Sequence, residues 1–409
     1  MDYTLFRLPN GLRVVYHYFE HSSISHLGLV ANVGTRHEAE GEMGMAHFLE
    51  HMLFKGTKTR KAYHVLTRLD AVGGEVNAYT TKETTSVYAV FMHEHFERAA
   101  ELLKNIVFES VFPEKELEKE KKVVIDELHS YEDSPEEGVY DGFEDLVFEH
   151  HPLGKNILGT EQSLSSFDRQ KVVAFYERHY MPENVVLSYV GNLGFKEFER
   201  AVNRYFAPLA PAPAPTHEPQ PHSYHARHSS LTRPTTQLYQ CLGSPAPHLH
   251  STQRVATQLL NSILGGEGMN CRLNLHIREK YGYVYAIDSC YVPYQDTGLL
   301  CISHSTDPKY NPKVNHLIQK ELQKLRHTPL TTTQLHQAKQ QYCTRVAMSE
   351  ESRTSLMLGM AKSIINFGRI DSLPQYFAQI HAITAAELME LANQIFQPEH
   401  QSSLSYNPQ

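Results

Sequence analysis

The residues of this chain best placed to do chemistry lie in the run His47-Phe48-Leu49-Glu50-His51. Histidines four apart project from one face of a helix about one turn apart, so two imidazoles can close on one small cation. Neutral imidazole nitrogen suits Zn2+ at about 2.0–2.1 Å. Glu50, three residues after His47, is spaced to reach water in an open coordination position. Zinc lowers the pKa of bound water to about 7, and Glu50 is then the expected base as attack begins. The run is the HxxEH inversion of the HExxH motif. Met45, Phe48, Leu49 and Met52 make the segment amphipathic, and desolvating two histidines and a glutamate there requires a compensating partner.

A catalytic zinc usually has three protein ligands and one open position. The stretch 114–130 reads as a helix and offers Glu116, Glu118, Glu120, Asp126 and Glu127. Its first part, Glu-Lys-Glu-Leu-Glu-Lys-Glu-Lys-Lys, has the pattern of a solvated face. Glu127 follows Val123-Val124-Ile125, where the helix turns inward, and Glu120 is two turns earlier on the same face. Periodicity does not choose between Glu127 and Asp126.

These residues need elements to hold them. Strands are expected at 12–18 and 24–33, joined by the Glu-His-Ser-Ser turn, and helices at 42–54 and 63–72. Strands at 75–80 and 84–92 and helices at 94–107 and 114–130 follow. The second half repeats a similar order: strand 237–242, helix 252–264, a glycine-rich turn, helix 272–280, strands 284–292 and 298–304, and helices 311–326, 332–348 and 353–366. The expected class is therefore α+β, with two similar α/β modules. The alternating prolines of 207–222 mark the boundary between an N-terminal module, 1–206, that carries the zinc run and a C-terminal module, 223–409. A chain of 409 residues exceeds what one core holds, which also asks for two domains. The histidines His217, His222, His225 and His228 fall among prolines and read as a solvated linker rather than a ligand cage.

Composition removes several functions. The formal charge is −8 and no dense Lys/Arg stripe stands out, so no nucleic-acid partner is expected. No run of about 18 apolar residues exists, so no membrane span is expected. The five cysteines are odd in number, confined to the second half and never in a CxxC pair. That favours a reducing compartment, here the bacterial cytoplasm, with the mitochondrial matrix as the alternative if a presequence were removed.

Longer motifs surround the metal run. They are Leu8-Pro9-Asn10-Gly11-Leu12-Arg13-Val14, Gly34-Thr35-Arg36-His37-Glu38, Gly44 to Thr57, Gly73-Gly74-Glu75-Val76-Asn77-Ala78-Tyr79-Thr80, Glu83, Glu120 to Leu128 and His151-Pro152-Leu153-Gly154. Together they resemble the pitrilysin (inverzincin) family of zinc metallopeptidases, especially its mitochondrial processing peptidase-like branch. The family's third ligand is a glutamate about 75 residues beyond the second histidine; 75 residues separate His51 from Glu127, so the resemblance selects Glu127. It gives Glu120 a supporting role and Glu83 that of orienting an imidazole. It implies two modules, each a mixed, mainly antiparallel sheet backed by helices. It also places Asn77, Ala78 and Tyr79 on an exposed strand that pairs with the substrate backbone, a mode that accepts any extended peptide.

In the second half, Gly265-Gly266-Glu267-Gly268 and Arg278 to Tyr285 resemble the family's distal substrate motif, with Tyr283 able to take the place of Tyr285. The resemblance assigns Arg278 and Tyr285 to the substrate carbonyl and its developing negative charge. The glycine-rich segment lacks the GxxxxGK[ST] pattern of a phosphate loop. Relatives enclose a chamber with four modules; this chain has two, which implies a homodimer or a related partner subunit. The expected function is a zinc-dependent endopeptidase acting on extended oligopeptides or short unfolded proteins. Its rival is a non-catalytic core or partner subunit of a processing peptidase-like heterodimer. A zinc lyase using HxxEH would need a cysteine near the site, and the first half has none.

Overall fold

The computed structural model describes residues 3–216 and 223–409. They form two compact units, neither a continuous segment. Unit 1 is Met1–Leu128, Lys155–His217 and Met348–Asp371; unit 2 is His129–Gly154, Glu218–Ala347 and Ser372–Gln409.

Unit 1 is built on six strands: β1 (Tyr3–Arg7), β2 (Arg13–Tyr18), β3 (Ile24–Ala31), β4 (Glu75–Thr80), β5 (Thr85–Met92) and β6 (Val185–Gly191). Their order is β1-β2-β6-β3-β5-β4. Only β2 and β6 run parallel; the other pairs are antiparallel. The turn expected to join 12–18 to 24–33 does not make them neighbours, because β6 lies between β2 and β3. Every residue of β6 is buried. Val186 and Val190 meet Val15, Val30 and the helix Arg353–Phe367 on one face, while Leu187 and Tyr189 join the main core on the other. A strand covered on both faces carries no polar alternation, so no period-2 signal marks it.

Four helices of the first half bear on the site: α1 (Met45–Leu53), α2 (Ala62–Asp70), α3 (Phe96–Phe108) and α4 (Glu114–Glu132). The boundary between the two units falls within α4, after Leu128. α3 presents Phe96, Ala99, Ala100, Leu102, Leu103, Ile106 and Val107 to the core.

Unit 2 has β7 (His228–Arg233), β8 (Leu238–Pro245), β9 (Val284–Pro293), β10 (Gly298–Thr306) and β11 (Ser402–Pro408), ordered β7-β11-β8-β10-β9 with only β7 and β11 parallel. α5 (Pro135–Val147) covers one face, burying Val139, Phe143 and Val147 with Cys241, Leu404 and Tyr406, and Tyr406 donates to Gly138 O at 2.9 Å. Both sheets are mixed, mainly antiparallel and backed by helices, the architecture expected from the sequence.

The contiguous modules 1–206 and 223–409 differ from these units by an exchange. His129–Gly154 belongs with the second sheet and Met348–Asp371 with the first. Amphipathic periodicity tells which face of a helix is apolar, not which sheet it covers. Residues 217–222, with His217 and His222, lie outside the described residues, while His228 opens β7 and holds Ser403 Oγ at 2.9 Å from its Nδ1. Among the described residues no helix is long and apolar enough to cross a membrane.

Candidate metal centre

α1 buries Met45, Ala46, His47, Phe48, Leu49, Glu50, Met52 and Leu53, so nearly its whole circumference faces protein. Its N-cap is Gly44 at φ +87°, a left-handed conformation that a side chain would strain. A Cβ there would also lie 2.7 Å from Leu158 O. Gly44 has no side chain to cap the helix, and Glu38 does so instead: it accepts from Gly44 N at 3.0 Å and Ala46 N at 2.9 Å. Burial pushes the Glu38 pKa up to about 8 despite those bonds.

One turn of α1 separates His47 from His51, and their ring centroids lie 4.7 Å apart. Both direct Nε2 towards Glu127 of α4: His51 Nε2 is 3.4 Å from Glu127 Oε2, and His47 Nε2 is 3.9 Å from Glu127 Oε1. One ligand atom from each of the three residues lies within 4.8 Å of the others, a spacing that can hold a metal ion. Asp126, the alternative that periodicity leaves open, is exposed on α4.

Glu120, two turns before Glu127, accepts from His51 Nδ1 at 3.0 Å, and Lys55 Nζ sits 2.6 Å from its other oxygen. An ionised carboxylate only accepts, so His51 Nδ1 carries a proton and Nε2 is the ring atom turned to Glu127 and left for a metal. His47 Nδ1 is buried and has no hydrogen-bond partner among the described residues. Glu50 accepts from Thr80 Oγ1 at 2.6 Å, which ties it to the end of β4.

Burial, with His51 adding to it, pushes the His47 pKa down to about 3, so this imidazole is neutral. Burial also raises the Glu50 pKa, outweighing the Thr80 hydrogen bond and the His51 charge that oppose it. For His51, burial favours the neutral ring, but the hydrogen bond it donates to Glu120 and the charges of Glu127 and Glu50 prevail and raise its pKa. For Glu120, burial is outweighed by His51 and Lys55, which lower its pKa.

These residues fit zinc. The donor set is two imidazoles and one carboxylate, and a carboxylate supports one of the rings from behind. Three carboxylates, Glu50, Glu120 and Glu127, gather around the two imidazoles with the Lys55 ammonium beside Glu120, an acidic setting that a divalent cation would balance.

The chain has a second HxxEH run, His17-Tyr18-Phe19-Glu20-His21. It begins in β2 and enters a turn, so its histidines do not share a helix face. The pentapeptide has ligand geometry only where the chain is helical.

Asn77, Ala78 and Tyr79 lie on β4, which pairs with β5 and ends the sheet. Asn77 is exposed, and Tyr79 packs edge-on against Tyr88 with Lys362 Nζ 5.1 Å from its ring centre. Glu83 forms an ion pair with Arg36, whereas the carboxylate that holds the His51 ring is Glu120. The α4 heptad brings Glu120 behind the His51 ring. Arg278 and Tyr285 belong to unit 2. Arg278 lies in a π-helical segment, Asn274–Glu279, a rare form frequent at functional sites, and its Nη1 donates to Asn274 Oδ1 at 3.4 Å. Tyr285, on β9, is 60% exposed, while Tyr283 stacks on Tyr310 with centroids 4.8 Å apart. Sequence reasoning gave no role to Thr80, Lys55 or Glu38, although all three fall within the motifs that carry the resemblance; Thr80 and Lys55 act through contacts between separate elements.

An inverted His-x-x-Glu-His helix closed by a glutamate from a second helix, beside the edge of an α+β sheet, defines a protein of the inverzincin metallopeptidase type. The chain belongs to the insulinase family, Peptidase family M16: the profile of that family matches residues 13–161, and that of the Peptidase M16 inactive domain matches residues 166–342. A protein of Rickettsia bellii named an uncharacterized zinc protease is 33% identical over 396 residues, covering 97% of this chain and 95% of that one. A Bacillus subtilis protein of the same description is 32% identical over 395 residues, covering 97% and 96%. The crystal structure of a protease from Helicobacter pylori superposes with a TM-score of 0.92 at 21% identity, covering 100% of this chain and 99% of that one. The fold is thus shared with that protein. The name of the second matched domain agrees with the absence of any HxxEH run from the second half.

Proposed function

We propose that the chain is a zinc-dependent endopeptidase acting on extended oligopeptides or short unfolded proteins. The observation that carries this reading is the convergence of His47, His51 and Glu127 beside Glu50, which is tethered by Thr80 to the last residue of an edge strand. Zinc held by those three residues supplies a Lewis acid for the substrate carbonyl and for water. Glu50 takes the proton of the attacking water and returns it to the departing amine. Main-chain groups of β4 at Asn77, Ala78 and Tyr79 pair with an extended substrate and lead it towards Glu50. Family resemblance assigns Arg278 and Tyr285 to the substrate carbonyl, and both side chains are exposed, as that role requires.

The test is incubation of zinc-loaded protein with a mixed peptide library, read by mass spectrometry with and without a chelator. Cleavage must stop on chelation and return with zinc. Glu50→Gln must keep the metal and lose turnover by about 10²–10⁴-fold. Unchanged cleavage in that variant, or none from the metal-loaded parent, overturns the reading.

Four-module relatives make a homodimer the proposed working form, with a related partner subunit as the alternative. Light scattering is expected to give twice the chain's 46.7 kDa. A monomer mass in a sample that cleaves peptides refutes the dimer.

A further inference from the structure

A cavity of about 440 Å³ in unit 1 is lined by Thr59, Arg60, His64, Thr67, Arg68, Ala71 and Arg98. The lining contains three guanidiniums, an imidazole and two hydroxyls, and no carboxylate. Four of these residues, His64, Thr67, Arg68 and Ala71, recur at i, i+3, i+4 and i+7, so one face of α2 forms one wall. The opposite face of α2 buries Val65 and Leu69, which fixes the direction of that wall. Arg60 lies just before α2, and Arg98 comes from α3.

The arginines hold each other in place. Glu101 of α3 bridges Arg60 Nη2 at 2.7 Å and Arg68 Nη2 at 2.9 Å. Arg98 Nη1 donates to Arg68 O at 3.0 Å. Arg60 Nη1 also meets Asn105 Oδ1, and Thr59 Oγ1 at 3.3 Å. Burial works against ionising Glu101, but the two arginines prevail and lower its pKa, so it is charged. Three guanidiniums against one carboxylate leave about two positive charges. Arg68 Nε is buried with no hydrogen-bond partner, and Arg98 meets no carboxylate among the described residues. This excess stands in a chain whose formal charge is −8.

We infer that this cavity is a binding site for a phosphate monoester dianion. Two net charges match that dianion, and planar guanidinium forks bind phosphate oxygens in pairs. The hydroxyls of Thr59 and Thr67 donate to Asn105 Oδ1 and Tyr63 O, so recognition falls to the guanidiniums. The volume exceeds that of a bare phosphate ion and leaves room for the esterified group, which can belong to a free metabolite or to a lipid headgroup. The site is separate from the metal centre, and the inference stands whether or not the peptidase reading does.

Calorimetric titration of the full-length, zinc-loaded protein tests it, with glycerol 3-phosphate, inorganic phosphate and chloride as probes at low ionic strength. Sedimentation with phosphatidylcholine vesicles, with and without phosphatidic acid, distinguishes the lipid source. The expected result is saturable 1:1 binding of the phosphomonoester, free or vesicle-borne, weakened at least about 10-fold by Arg98→Gln. Lys119→Gln, on α4, should not change it. Circular dichroism and zinc content check that the variants fold. Phosphate bound at the zinc would be insensitive to Arg98→Gln. Affinity unaltered in that variant, or no saturable binding to any phosphate probe, overturns the proposal.

Discussion

His51 is gripped from two sides by one helix. Glu120 accepts a hydrogen bond from its Nδ1 and Glu127 faces its Nε2, two turns of α4 apart. The first contact fixes the tautomer and ring direction that metal binding needs. Glu120→Gln is therefore predicted to fold normally but to weaken zinc affinity by about 10–100-fold, measured by competition with a chromogenic chelator. An unchanged affinity would remove Glu120 from the site's support. At this scale much was legible in the sequence: the four-residue spacing of the histidines, and the seven-residue spacing that put Glu120 and Glu127 on one face. The choice of Glu127 over Asp126 came only from the family resemblance, and in space it follows from the rotation of α4, which leaves Asp126 exposed. Lys55 and Thr80 were not legible, since a tether between two elements has no periodicity.

At the scale of elements, α1 presents its histidines correctly only if its first turn is anchored. That anchor is Gly44 at φ +87° with the Glu38 carboxylate across Gly44 N and Ala46 N. Gly44→Ala adds left-handed strain and a clash with Leu158 O, and should lower unfolding free energy by about 2–4 kcal/mol in urea titrations. A loss below about 1 kcal/mol would mean the turn relaxes freely. Strand β4 was read from the sequence with the bounds the structure gives it, because Glu75–Thr80 is half-buried and alternates. Strand β6 was not, because Val-Val-Leu-Ser-Tyr-Val-Gly is buried on both faces. The segment 272–280 was read as an ordinary helix; the π-helical turn at Asn274–Glu279 depends on hydrogen-bond register, which residue types do not encode.

For the molecule as a whole, buried neutral histidines set an acid limit. His304, on β10, has its pKa pushed down to about 4 by burial, against the Asn311 hydrogen bond; His26, on β3, is likewise lowered to about 4 by burial and by Arg353. The folded state binds fewer protons than the unfolded chain between pH 6.5 and 4, so stability is full above about 6.5 and falls as pH drops through that window. From pH 7 to pH 5, His304 alone should cost about 2 kcal/mol, and His304→Gln should lose correspondingly less. Equal losses in parent and variant, measured by denaturant titration at both pH values, would sink this account. The two-module plan was legible from the repeated order of elements. The exchange of His129–Gly154 and Met348–Asp371 was not, because no local signal says which sheet a helix will cover. That exchange sets a timetable for synthesis. The face of the first sheet formed by Val15, Val30, Val186 and Val190 is closed by Met357, Met360, Ala361 and Ile364. Those residues leave the ribosome about 170 residues after β6, roughly 10–30 s later at ordinary elongation rates. During that interval the nascent amino-terminal unit carries a bare valine surface, which makes it a natural client for a holding chaperone until nearly the last helix arrives.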